Sequence, residues 1–92
     1  MKSSQDFLKA AVRIQDERAR DYDKPEGERS MAATVQAFNA ITGQSLTEAH
    51  GWLLLETLKN VRLFTAAGFH FDSALDGVSY SSLKAEAKAR ES

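Results

Sequence analysis

Five residues of this 92-residue chain have the types and spacing to do chemistry: Lys59, Arg62, Asp72, Asp76 and Tyr80. Asp72, Asp76 and Tyr80 recur every fourth residue, so on a helix they share one face. Lys59 and Arg62 stand three apart on the preceding segment, which reads as a helix turning about 100° per residue. On that wheel Arg62 falls between Leu55 and Leu58, inside an apolar arc. A guanidinium buried there needs an acceptor, because an unpaired buried charge is very costly. Asp76 is the expected acceptor, with Tyr80 donating its hydroxyl to the same carboxylate. Two chemistries remain open. The cluster is either a polar knot that fixes helix register, or the floor of a small pocket in which Lys59 and Arg62 face a phosphate. Arg20 and Tyr22, in a stretch dense with charge, are further candidate contacts to a ligand or partner.

Catalytic constellations are missing from the sequence. Glu17, Glu48, Glu56, Asp72 and Asp76 are of a type that holds magnesium when a substrate phosphate shares the ion. The helical nucleotide pyrophosphatases use acidic pairs spaced E-x-x-E and E-x-x-D, and the chain contains neither. His50 and His70 have no zinc-ligand spacing. Ser73, Ser79, Ser81 and Ser82 have no base beside them in a nucleophile motif. No catalytic residue, resident metal or cofactor is expected, apart from magnesium if a nucleotide is the ligand.

Composition bounds the rest. Net charge is −1, with 12 basic and 13 acidic residues, which removes the electrostatic case for nucleic acid. The absence of cysteine excludes disulfides and thiolate metal sites and suits a reducing cytoplasm. The N-terminus has no signal-peptide core, and the run Trp52–Leu55 is far too short to span a bilayer.

These residues must be positioned by helices, because apolar positions recur at helical spacing and no stretch alternates with period two. The expected fold is all-α, a compact single-domain bundle of about four helices over residues 1–92. The first runs from about Ser4 to Arg20 and turns Phe7, Leu8, Ala11, Ile14 and Gln15 to one face. Pro25 and Gly27 then break the chain. The second covers Glu28 to Thr42, striped by Met31, Val35, Phe38 and Ile41 and ended by Gly43. The third covers Thr47 to Ala67, opens on a Ser/Thr capping pattern and is stopped by Gly68. Its apolar residues lie on several sides, which predicts a central position. The last begins near Asp72 as cap and runs toward Arg90. Residues 84–92 lack large apolar side chains and are expected to form a solvated or frayed tail. The alanine-rich second helix and the many-sided third predict a homo-oligomer, since 92 residues bury a thin core.

Arg20-Asp21-Tyr22-Asp23-Lys24-Pro25, Lys59-Asn60-Val61-Arg62 and Phe71-Asp72-Ser73-Ala74-Leu75-Asp76-Gly77-Val78-Ser79-Tyr80 together resemble a small phage and prophage family of unknown function. Its pattern is D-Y-G-x-P, K-x-x-R, then D-x-x-x-D with a tyrosine four residues on. The likeness covers about residues 17 to 83. A similar layout occurs in domains associated with nucleotide modification and, more distantly, in MazG-like helical pyrophosphatases. Asp23 stands where the family pattern has glycine. The resemblance implies an all-helical accessory protein of the host cytoplasm that acts by binding, with a host or phage protein as partner. The other function in view is a nucleotide-binding or nucleotide-pyrophosphate-hydrolysing helical domain.

Overall fold

The computed structural model describes residues 2–21 and 30–92. They form four helices: α1 (Ser4–Asp21), α2 (Met31–Thr42), α3 (Glu48–Thr65) and α4 (Phe71–Arg90). Glu28, the expected start of the second helix, lies outside the described residues.

Local chemistry sets the helix ends. Ser3 and Asp6 cap α1 reciprocally: the Ser3 amide donates to the Asp6 carboxylate at 3.0 Å and the Asp6 amide to the Ser3 hydroxyl at 3.2 Å. Gly43 closes α2 in the left-handed conformation at φ 75°, its amide on Asn39 O at 2.8 Å. The Asn39 amide group then grips Leu46 twice, donating to its carbonyl at 2.9 Å and accepting from its amide at 3.0 Å. Thr47 caps α3, and His50 stands where a capping box usually has Glu or Gln, its Nδ1 accepting from the Thr47 amide at 2.9 Å. His70, rather than the expected Asp72, caps α4, with Nδ1 accepting from the Ser73 amide at 3.2 Å. Asp72 lies one position inside the helix, where its charge still favours the first turn.

The helices are layered in the order α1, α4, α3, α2: α1 packs on α4, α4 on α3, and α3 on α2. Phe7 meets Phe71 at 5.9 Å between ring centroids and Gln15 meets Ser79 at 2.9 Å, so α1 and α4 run in the same direction. Ala10, Ala11 and Leu75 fill that contact, with Ile14, Phe71 and Val78 at its margin. Leu8, expected on the inner face of α1, is exposed. The α3–α4 pair is an antiparallel hairpin around Ala49, Trp52 and Ala87, flanked by Leu55, Tyr80 and Leu83. The inner helices are therefore α3, central as the sequence predicts, and α4, which is the more enclosed with five buried residues against two on α3. Small residues make this possible: Ser73, Gly77, Ser79 and Ala87 are all buried on α4 and let two helices approach it.

The expected tail is also corrected. Residues 84–90 are helical and docked. Ala87 is 1% exposed between Ala49 and Trp52. Lys84 pairs with Glu56 at 2.6 Å and Arg90 with Glu48 at 3.2 Å. The Glu91 carboxylate accepts the Ala49 amide at 3.2 Å, meeting one of the free donors at the start of α3. Alanine at position 87 was read as solvated for want of size, but its smallness is what lets α3 and α4 close.

α2 is held by a narrow contact. Val35 is its one buried residue, and Met31 and Val35 lie over Gly51. A Cβ at residue 51 would stand 2.3 Å from Met31 Sδ and 2.9 Å from Val35 Cγ2, so a helix with a side chain there could not be approached as closely.

Candidate functional site

Asp76 is the junction of three helices. It projects from α4 between its two neighbours and is 14% exposed. Lys59 of α3 reaches it at 3.0 Å and is itself 16% exposed; Arg18 of α1 reaches its other oxygen at 3.8 Å. One acid thus gathers a cation from each flanking helix. Together with Glu48–Arg90 and Glu56–Lys84, Lys59–Asp76 forms a ladder of ion pairs that fixes the register of α3 against α4.

Arg62 is not in this junction. Its side chain is exposed and pairs with no described residue. The reason is the orientation of α3. The side that meets α4 carries Ala49, Trp52, Glu56, Lys59 and Leu63, of which Ala49 and Trp52 are buried. Arg62 lies about 60° around the helix from Lys59, outside that contact. Lys59, with Arg18 from α1, takes the place that the sequence reading gave to Arg62.

The other candidates separate. Asp72 is exposed at the start of α4. Tyr80 is half-buried and stacks on Trp52, with centroids 5.8 Å apart and planes 25° apart, and no bond joins its hydroxyl to Asp76. Arg20 is exposed in the last turn of α1. Tyr22 lies outside the described residues. Of the five residues that opened the reading, the structure brings together Lys59 and Asp76 alone, and their charges are spent on each other. Lys59 therefore offers little to a phosphate.

The remaining polar groups are also internal. Gln15 Nε2 donates to Ser79 Oγ at 2.9 Å and to Ser82 Oγ at 3.0 Å, and Ser82 Oγ donates to the Ser79 carbonyl at 2.7 Å. Ser73 Oγ is buried on α4 without a partner. No group of three or more His, Asp or Glu residues is assembled for a metal ion among the described residues. No described helix is long and apolar enough to cross a membrane. A groove of about 330 Å³ opens between the start of α3 and the end of α4, over Ala49 and Leu53 and beside Lys84 and Lys88. Its Lys84 is already paired with Glu56.

One side of α3 presents a run of apolar side chains to solvent. Leu54, Leu58 and Val61 run along the side of α3 away from α4 and are 69%, 41% and 54% exposed. Leu53 and Phe64 flank them, and Phe38 and Ile41 of α2 are exposed as well. On α2, Phe38 stands seven residues from Met31, on the same side of the helix as the contact with Gly51, and Ile41 about 60° further round; both are exposed beyond that contact. No charged residue occurs anywhere in α2, and on α3 the exposed Arg62 lies at the margin of this face, about 40° around the helix from Leu58. The sequence marks these residues as apolar on several sides of the helix, which fits the centre of a bundle or an oligomer. The spacing was legible, and the side from which α4 approaches was not.

Comparison of the chain with protein-family models, with curated proteins and with solved structures finds no match.

Proposed function

We propose that this protein is a binding module without catalysis, which works by covering the apolar outer face of α2 and α3 with a protein partner. One observation carries the reading: a chain with 27% charged residues leaves a continuous apolar surface bare. Contiguous apolar patches of this size on soluble proteins mark interaction sites. The ionic cluster at Asp76 supports the same reading from the other direction, because its members are committed to helix register. The resemblance seen in the sequence would make the protein a phage or prophage accessory protein of the host cytoplasm.

Site-specific photo-crosslinking in cells producing the protein tests this. A photoreactive residue at Ile41, Leu54 or Val61 is expected to give discrete protein adducts, while one at exposed Lys9 of α1 gives none. Adducts from residue 9 alone, or none from the outer face, would refute it.

A further inference from the structure

The outer face has a spacing that narrows its occupant. Leu54, Leu58, Val61 and Thr65 follow one another at intervals of four, three and four residues. That is the alternation of core positions in a coiled coil, where each side chain inserts between four of a facing helix. Here the seam points at water. A helix with this seam is built to receive another helix.

Three properties select which helix. The first is charge. A nucleic acid or an acidic peptide would find no counter-charge on Leu54, Leu58 and Val61 or on α2. A face applied to its own image meets itself, and with Arg62 only at its margin the centre of this seam carries no like charges to repel one another. The second is area. Leu53, Leu54, Leu58, Val61, Phe64, Phe38 and Ile41 at their fractional exposures offer roughly 800 Å², about what each partner of a standard-sized complex contributes. The third is the poverty of the interior. Val35, Trp52 and Leu75 are the only apolar side chains larger than alanine that are buried among the described residues. A chain of this length gains little from its own core, and a second copy supplies the missing cover.

We infer that the partner is a second copy of this chain, packed across a two-fold axis with the Leu54–Leu58–Val61 seam against its own equivalent and Phe38 and Ile41 closing one side. This rests on the outer face being a binding surface and names its occupant. Among the other exposed large apolar residues, Leu8 and Val12 of α1 lie on a different helix that does not touch α3 and stay outside the contact.

Light scattering on the purified full chain across a concentration series tests the assignment. The expected mass is twice 10.2 kDa, falling to 10.2 kDa on dilution. Leu54→Glu and Val61→Glu each place a charge at a position already exposed in the single chain, so circular dichroism should show the helices intact. Each should weaken association by about 100-fold or more, the effect of a central interface residue. Val12→Glu on α1 should leave the mass unchanged. A mass of 10.2 kDa at every concentration up to about 100 μM, where even micromolar interfaces of this size are filled, would overturn the inference, as would dissociation by Val12→Glu and not by Leu54→Glu. The photo-crosslinking experiment separates the two levels. Adducts of one chain with a different protein, from a monomer, defeat self-association and keep the binding face. No adduct of either kind defeats both.

Discussion

Replacing Asp76 by alanine leaves two cations at the α1–α4–α3 junction with nothing to face. The attraction of Lys59 at 3.0 Å is about 5 kcal/mol before solvation is counted, at an effective dielectric constant of about 20. Desolvation of the pair, which is about 85% covered on each side, offsets most of it. Arg18, at 3.8 Å and 35% exposed, adds a weaker and more screened share. Asp76→Ala is therefore expected to cost about 2 kcal/mol, less than the 3–5 kcal/mol of a fully buried broken pair. In a domain of this size the loss lowers Tm by roughly 10 °C. Lys59→Met leaves Asp76 its Arg18 contact and keeps an apolar side chain at the junction, so it should cost about 1 kcal/mol or less. Arg62→Ala, at an exposed side chain, should fall within about 0.5 kcal/mol of the wild type. Urea denaturation of the three variants and of Asp76→Ala/Lys59→Met gives the coupling energy directly, expected near 1 kcal/mol. Repetition in about 1 M salt should shrink the Asp76 effect without abolishing it, since covered pairs are screened less than exposed ones. An Arg62→Ala loss as large as that of Asp76→Ala would refute the placement of the junction. So would an Asp76→Ala loss below about 0.5 kcal/mol, the range of ordinary surface substitutions.

Two glycines should respond oppositely to alanine. Gly77→Ala adds a Cβ 3.6 Å from Asn60 Oδ1 and 4.0 Å from Lys59 Cβ, which is ordinary contact, so helix propensity should raise stability by about 0.5–1 kcal/mol. Gly51→Ala drives a Cβ into Met31 and Val35, and the overpacking, about 1–3 kcal/mol, should outweigh the propensity gain and appear as faster amide exchange in α2. The Asp6 carboxyl is held below its ordinary 3.8 by the Ser3 amide and then the Ser3 hydroxyl. Its contribution is thus present above the unfolded value and lost as pH falls through the lower folded value. The stability gap between wild type and Asp6→Asn should close as acid is added below about pH 4, and a gap constant with pH would contradict the cap. Ala87→Asp should cost more than about 2 kcal/mol by burying an unpaired charge between Ala49 and Trp52, whereas a frayed tail would tolerate it.

Much of the architecture was written in local chemistry. Gly43 and Thr47 marked breaks, and the apolar periodicity of each segment gave four helices close to those observed. The acid of the junction was legible too, because Asp76 stands amid residues that otherwise read as inward-facing. Its partners were not, since Lys59 and Arg62 are equally plausible on a wheel and a wheel does not say from which side the neighbour comes. Arg18 was hidden in a charged helix end. The larger failure came from equating the greasiest arc of α3 with its buried arc. In this chain α4 approaches the mixed side through alanine, glycine and serine, and its ion pairs satisfy the charges there. The leucines are left outside. That inversion makes little sense for an isolated bundle and good sense for a subunit.

Mixing isotope-labelled and unlabelled chains puts that inversion to its most direct test. Isotope-filtered NOEs are expected to cross from the methyl groups of Leu54, Leu58 and Val61 in one chain to protons of the other, with none from Leu8 or Val12. Outer-face methyls that see only their own chain and water at high protein concentration would contradict it.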